Sequence, residues 1–318
     1  MSANQNILIT GASGFIGKAL TMTLANKKNT TISTLSLKQK NTHTATADSN
    51  TKKLESIDTV IHLAGRAHIL KETNDNPLTL YRADNVEKTL ELAKQAISSG
   101  VRRFIFVSSI GVNGSTTRDL PFNELSPTTP RAHYAISKLE AELGLKELLH
   151  GSPTELVVIR PPLVYAGHAP GNFERLIKLV NTGLPLPFAL VNNSRSMIAL
   201  ENLVDFIICC IDHPQAANET FLISDGTEIS TAQIIKYLAK GLNRTPRLLP
   251  IPLPLIKISA NLLGVKGIYE QLFCSLIIDS SKARNKLQWQ PITSPEEAIC
   301  KAGKDYKSSH KKTDNNKP

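Results

Sequence analysis

The chain opens on a short apolar run, Asn6-Ile7-Leu8-Ile9-Thr10, which ends in Gly11, Gly14 and Gly17 and passes at once into a helical pattern from Lys18 onward. An apolar run of this length, closed by glycines, predicts a buried strand that turns tightly into a helix. The same alternation continues. Thr31 to Leu37 predicts a second strand, followed by a polar loop over residues 38–50, and Asp58 to Gly65 a third strand of fully buried type. A helix is expected from about Leu78 to Ser99, stopped by Gly100. A strand over Arg103 to Ser108, a helix from about Ala132 to Leu149 and a strand over Leu156 to Arg160 complete the series. Such alternation predicts an α/β fold, a doubly wound parallel sheet with helices on both faces and a ligand beyond the carboxyl ends of the strands.

After Pro161-Pro162 the segments shorten and proline becomes frequent, as in Leu184-Pro185-Leu186-Pro187 and Leu249-Pro250-Ile251-Pro252-Leu253-Pro254. The reading is a main domain over residues 1–165, with 196–225 and about 276–300 returning to it, and a smaller lobe from 166–195 and 226–275. Leu203 to Ile211 and Thr220 to Ile223 read as the returning helix and strand. The apolar stretch from Leu253 to Leu263 reads as a helix packed on the small lobe. Its only charge is Lys257, whereas helices that lie on membranes carry a basic face.

Bulk properties narrow the class. Of 318 residues, 41% are apolar and 20% charged, ordinary for a globular protein, and the longest uninterrupted apolar run is Phe206 to Ile211. A membrane span needs about 18 such residues, and no secretory leader is read at the start, so a cytoplasmic protein is expected. Cysteines stand at 209, 210, 274 and 300, with no C-x-x-C pair. They form neither a disulfide framework nor a metal site, which suits a reducing cytosol. The net charge of +10 invites nucleic acid, but residues 301–318 hold six lysines against two aspartates. That stretch reads as a solvated, disordered tail, and the mildly basic remainder suits a phosphorylated ligand better than a nucleic-acid groove.

Three signals carry chemistry. In the glycine turn, Gly11 allows the tight bend, Gly14 lets the backbone approach a pyrophosphate, and Gly17 lets helix and strand pack closely. An anionic ligand would meet the helix N-terminus there. Tyr134 and Lys138, one helical turn apart, put a phenol and an ammonium on one face. The ammonium is expected to lower the phenol's pKa from about 10 and make Tyr134 a proton donor or acceptor. Ser109, at the end of the fourth strand, lies at the ligand edge. Each has a plain alternative: an ordinary turn, a chance Tyr-Lys pair, a serine capping backbone. Their coincidence in one order is what raises them.

With those residues in place, the chain resembles the extended short-chain dehydrogenases/reductases of the NAD-dependent epimerase/dehydratase type, and within them the nucleotide-sugar epimerases and 4-reductases. The matching pieces run from Gly11-Ala12-Ser13-Gly14-Phe15-Ile16-Gly17 through Val60-Ile61-His62-Leu63-Ala64-Gly65, Asn85-Val86, Ser108-Ser109 and Tyr134-x-x-x-Lys138. They continue with Arg160-Pro161-Pro162-Leu163-Val164-Tyr165, Asn172, Arg195-Ser196, Asn202-Leu203-Val204-Asp205 and Asp279-Ser280-Ser281-Lys282-Ala283. The resemblance implies a Rossmann-type sheet with a smaller α/β substrate lobe and hydride exchange at C4 of a UDP-sugar. Tyr134 would move the proton on the C4 oxygen, Ser109 would hydrogen-bond it, and Lys138 would tune Tyr134 and hold the cofactor ribose.

Carried over by position, the cofactor would meet Gly11, Ser13, Gly14, Phe15, Ile16, Gly17, Leu63, Ala64, Gly65, Ser108 and Pro161, and Asp48 would lie near the adenine. The substrate would meet Arg66, Asn85, Ser109, Asn172 and Arg195, with the Arg195 fork suited to phosphate oxygens and a surface salt bridge as its plain alternative. A homodimer through paired helices is common among such enzymes.

Two departures narrow the family reading. Ser109 is followed by Ile110-Gly111-Val112 and not by an acidic pair, which argues against dehydration, and the usual tyrosine before glycine is replaced in Val112-Asn113-Gly114. The second strand ends in Leu35-Ser36-Leu37-Lys38 where NAD-binding members place a carboxylate. With Lys38 and Lys40 close by, this tilts the expectation from NAD toward NADP(H). The expected reaction is reduction of a UDP-4-keto-6-deoxy-N-acetylhexosamine to UDP-N-acetylquinovosamine or UDP-N-acetylfucosamine, for surface polysaccharide. The alternatives are a UDP-glucose or UDP-N-acetylglucosamine 4-epimerase and, from another class, a dinucleotide-binding sensor without catalysis.

Overall fold

In the computed structural model, residues 4–37, 53–66 and 76–314 are described. Six strands form one parallel sheet: β1 (Gln5–Thr10), β2 (Thr30–Leu35), β3 (Thr59–His62), β4 (Arg103–Val107), β5 (Glu155–Arg160) and β8 (Glu219–Leu222), in the order β2-β1-β3-β4-β5-β8. Each begins and ends within three residues of its expected bounds. β1, β3, β4 and β5 are buried nearly throughout, as near-continuous runs of Val, Ile, Leu and Phe require when both faces are covered.

Helices cover both faces. On one side α1 (Phe15–Ala25), α6 (Leu200–Asp212) and α10 (Ser281–Leu287) pack over Ile7, Ile9, Ile61, Ile105 and Ile159. On the other, α3 (Lys88–Ser98) and α4 (His133–Leu149) cover Leu8, Val60, Phe104 and Val158. The long helix expected before Gly100 is broken into α2 (Pro77–Arg82), one π-helical turn over Ala83–Glu87, and α3. Gly100, with φ +72°, ends it. Strand order reverses between β1 and β3, and this Rossmann-type crossing opens the crevice at their carboxyl ends.

A second apolar cluster lies beyond those ends. It gathers β6 (Leu163–Tyr165) and β7 (Met197–Ala199), which pair with each other, with α5 (Asn172–Asn181) and α7 (Thr231–Leu242). Tyr165 donates to Asp225 at 2.7 Å, and Asp225 also accepts from Asn202 at 2.7 Å, tying this cluster to the sheet. Two expectations change here. Residues 301–314 are no loose tail: α11 (Pro295–Asp314) continues through them and buries Ala302 and Tyr306 against α7. Lys301 and Lys304 are exposed on this helix, while Ala302 and Tyr306 form its buried apolar stripe. The second change concerns α8 (Leu253–Leu262), which buries only Ala260 and leans Leu253 on the cluster, leaving most of its apolar surface outside. It is followed by α9 (Lys266–Phe273).

Candidate active site

The crevice holds a cavity of about 740 Å³, lined on one wall by the glycine turn and on the other by the β4 and β5 ends with α4. Gly11 has φ +72°, and a Cβ there would lie 2.7 Å from the Ala64 amide nitrogen, so the turn and the end of β3 touch through backbone alone. A Cβ on Gly17 would run into the Ala12 Cα at 2.7 Å. Gly14 caps α1 with no side-chain hydrogen bond, so the first amides of that helix keep their donors for a ligand. Gly14, Phe15, Ile16 and Gly17 line the cavity; Ser13 does not. A backbone cradle with uncapped amides fits a pyrophosphate.

Across the crevice, Leu63, Gly65, Ser108 and Pro161 line the wall, while Ala64 stands behind, its amide on Thr10 Oγ1 at 3.3 Å. Lys38 and Asp48 lie outside the described residues. Arg66 and Asn85 do not line the cavity. Asn85 is buried and clamps the backbone of residue 66, accepting from its amide at 2.6 Å and donating to its carbonyl at 3.1 Å. It also donates to Ser137 at 3.0 Å, so it braces α4 from beneath. The Arg66 guanidinium turns to Asp84 at 3.6 Å and the Tyr81 ring.

Ser109, Tyr134 and Lys138 all line the cavity. Ser109 Oγ accepts from the Gly111 amide at 3.1 Å, the backbone cap weighed as its alternative, and it still has its own proton to donate. Lys138 is buried, donates to the Val107 carbonyl at 2.9 Å, and sits 4.4 Å from the Phe106 ring centre. Its nitrogen is 6.0 Å from the Tyr134 ring centre. The expected electrostatic trade is reversed in the protein by itself. Burial pushes the Tyr134 phenol up to about 12, with Tyr81 adding to it, and pushes Lys138 down to about 8 against the pull of Glu142. Tyr134 is therefore a protonated phenol near neutral pH, a donor first.

A buried ion pair stands behind these residues that sequence reasoning missed. Arg160 at the end of β5 grips Glu142 on α4 with its fork, the closest contact being 2.5 Å, and both are buried. Ser108 donates its hydroxyl to the same carboxylate. The other arm of Arg160 donates to Asn113 at 3.0 Å, and Asn113 in turn holds Ser126 and Thr129. This explains the Val112-Asn113-Gly114 departure: the amide is a bracket for Arg160, fully buried, and not a group facing the substrate. The signal available was Glu142 lying four residues after Lys138, on the same helix face.

On the small-lobe side, Asn172 and Arg195 line the cavity, joined by Thr231, Leu276 and Gln271. Arg195 donates to the Cys274 carbonyl at 3.1 Å and has no carboxylate partner among the described residues. It is buried, which lowers its pKa, and is no surface salt bridge. Asn172 donates to Gln271 at 2.6 Å.

A glycine-turn cradle facing a Ser-Tyr-Lys wall across a doubly wound sheet defines the short-chain dehydrogenase/reductase class. Comparison is specific: the model of the NAD dependent epimerase/dehydratase family matches residues 7–224, and the chain belongs to that family. A Vibrio cholerae protein named UDP-glucose 4-epimerase is 39% identical over 306 residues, covering 93% of each chain. An Escherichia coli protein named N-acetyl-alpha-D-glucosaminyl-diphospho-ditrans,octacis-undecaprenol 4-epimerase is 28% identical, over 91% of this chain and 92% of that one. The Thermotoga maritima UDP-glucose 4-epimerase structure with UDP-glucose superposes with a TM-score of 0.74 at 22% identity, covering 96% of this chain and 99% of that one. The chain is thus an enzyme of the epimerase and reductase type.

Proposed function

We propose that the protein exchanges hydride with C4 of a UDP-hexose, reducing a UDP-4-keto-6-deoxy-N-acetylhexosamine. The observation that carries this reading is the half-buried, protonated Tyr134 lining one cavity with Ser109 and the glycine turn. A nicotinamide dinucleotide, when bound, supplies the hydride donor or acceptor. The chain's own groups do the rest. Ser109 donates to the C4 oxygen, and Tyr134 delivers the proton that turns the developing alkoxide into a hydroxyl. Lys138, fixed by the Val107 carbonyl, would hold a ribose hydroxyl of the cofactor. Arg195, a buried guanidinium without a carboxylate partner among the described residues, is the natural seat for a diphosphate, with Asn172 beside it.

A 4-epimerase acting on UDP-glucose or UDP-N-acetylglucosamine is the second reading, favoured by the 39% identity to the Vibrio protein of that name. It needs the same residues in both directions. The two separate in one assay. A reductase oxidises added NADPH or NADH on meeting the 4-keto sugar and leaves UDP-N-acetylglucosamine untouched. An epimerase converts UDP-glucose or UDP-N-acetylglucosamine to the 4-epimer without added cofactor. Activity on none of these sugars would end the C4 reading altogether. The absence of a carboxylate through Leu35-Ser36-Leu37 supports NADP(H).

A further inference from the structure

The small lobe turns outward side chains that a packed helix would bury. On α8, positions 255, 258 and 262 follow the three- and four-residue spacing of a single helix face. Leu255, Ile258 and Leu262 are all exposed on it, Leu262 at 83%. Leu263, Ile268 of α9 and Leu249 on the segment leading into α8 are exposed as well. Single exposed leucines are ordinary, but a gathering of this size on one short helical hairpin marks an interaction surface.

Charge decides what that surface meets. Between Glu228 and Glu270 the chain carries Lys236, Lys240, Arg244, Arg247, Lys257 and Lys266, and no Asp or Glu. Lys240 pairs with Glu296 at 3.0 Å; the other five have no carboxylate partner among the described residues. A second copy of the chain would bring the same cations against themselves, and like charges set face to face repel. An anionic bilayer satisfies both the leucines and the cations. The single lysine of α8 is joined by Lys266 at the start of α9 and by Arg247 two residues before Leu249, with no acidic residue between Glu228 and Glu270. No described helix is long and apolar enough to cross a membrane, so the contact is along the surface.

We propose that the α8–α9 hairpin docks the enzyme on an anionic membrane surface. Leu255, Ile258 and Leu262 enter the boundary between headgroups and acyl chains, and Lys257 and Lys266 meet the headgroups. Glu270, Gln271 and Leu272, at the end of α9, line the cavity, so docking sets the cavity mouth beside the bilayer.

Sedimentation of the full-length protein with vesicles tests this without any turnover. The wild type is expected to sediment with phosphatidylglycerol–phosphatidylethanolamine vesicles, less at high salt, and not with pure phosphatidylcholine. The triple variant Leu255→Ser, Ile258→Ser, Leu262→Ser should lose about tenfold or more in apparent affinity. Lys257→Gln with Lys266→Gln should lose about fivefold per lysine. Both should keep the wild-type melting temperature, since they alter exposed positions. A wild type that stays in the supernatant with anionic vesicles overturns the proposal, as does a triple variant that sediments equally well. So does light scattering that finds a wild-type dimer abolished by the triple variant with no vesicle binding, for then the face belongs to a second copy.

Discussion

At the residue scale, burial outweighs the neighbouring charge. Tyr134 and Lys138 are one turn apart, yet the ammonium spends its hydrogen bond on the Val107 carbonyl, and desolvation moves both groups toward their neutral forms. Tyr134→Phe keeps the ring and removes the proton; turnover should fall by about 10²–10⁴ with substrate affinity little changed. Lys138 allows a test independent of turnover. Its pKa is about 8 in the fold against 10.5 unfolded. Below about pH 8 both states are protonated, and the fold carries the cost of a buried cation. Between about pH 8 and 10.5 the folded state gives up its proton first, so the unfolded chain holds more protons and this contribution to stability rises with pH. Lys138→Met has no such gain. The melting temperature of the cofactor-free wild type should therefore climb relative to Lys138→Met as pH goes from about 7.5 to 10. A difference that stays flat, or moves the other way, would show that the lysine is not titrating where burial places it.

At the scale of elements, the helix that carries Tyr134 and Lys138 is held by ions and not by apolar packing alone. Glu142 on α4 and Arg160 at the end of β5 form a pair out of water, with Ser108 and Asn113 completing its hydrogen bonds. Glu142→Gln leaves a buried guanidinium uncompensated and should cost about 3–5 kcal/mol. Replacing both partners by Glu142→Leu and Arg160→Met removes the stranded charge and should recover most of that loss in chemical denaturation. If the double variant is no better than Glu142→Gln, the pair is worth more than its desolvation and the reasoning fails. This pair also marks how far the sequence could be read. Strands and helices were legible because β1, β3, β4 and β5 are continuous apolar runs and glycines punctuate them. Ser109, Tyr134 and Lys138 were legible because each sits at a fixed place on such an element. Arg160 and Asn113 were not, since they are 47 positions apart and only the fold makes them partners. The π turn within Ala83–Glu87 was hidden for another reason: it holds no glycine or proline to mark a break, and what distinguishes the turn is Asn85 reaching to residue 66 and Ser137.

At the scale of the whole molecule, the cavity is shared between two apolar clusters, and its lining from the second comes from segments scattered from Phe173 to Leu272. Composition and periodicity say nothing about that convergence; Asn172 and Arg195 were found by resemblance, and Thr231, Gln271 and Leu276 were not found at all. Composition misled outright for α11, where lysine counts masked the apolar stripe that packs on α7. A cavity built this way couples ligand binding to the stability of the assembled fold. A dinucleotide seated on the glycine turn at about a hundred times its dissociation constant should add about 2.7 kcal/mol. For a chain of this length that is a rise of about 4 °C in the melting temperature. If Arg195 holds the diphosphate, UDP should produce its own rise, and Arg195→Gln should abolish the UDP shift while leaving the dinucleotide shift intact, since Arg195 is no part of the glycine turn. NADP(H) should shift the wild type at least as far as NAD(H), because no carboxylate stands through Leu35-Ser36-Leu37 to repel a 2′-phosphate. A larger shift with NAD(H) would reverse that preference, and no shift with either would mean that the glycine cradle holds something else.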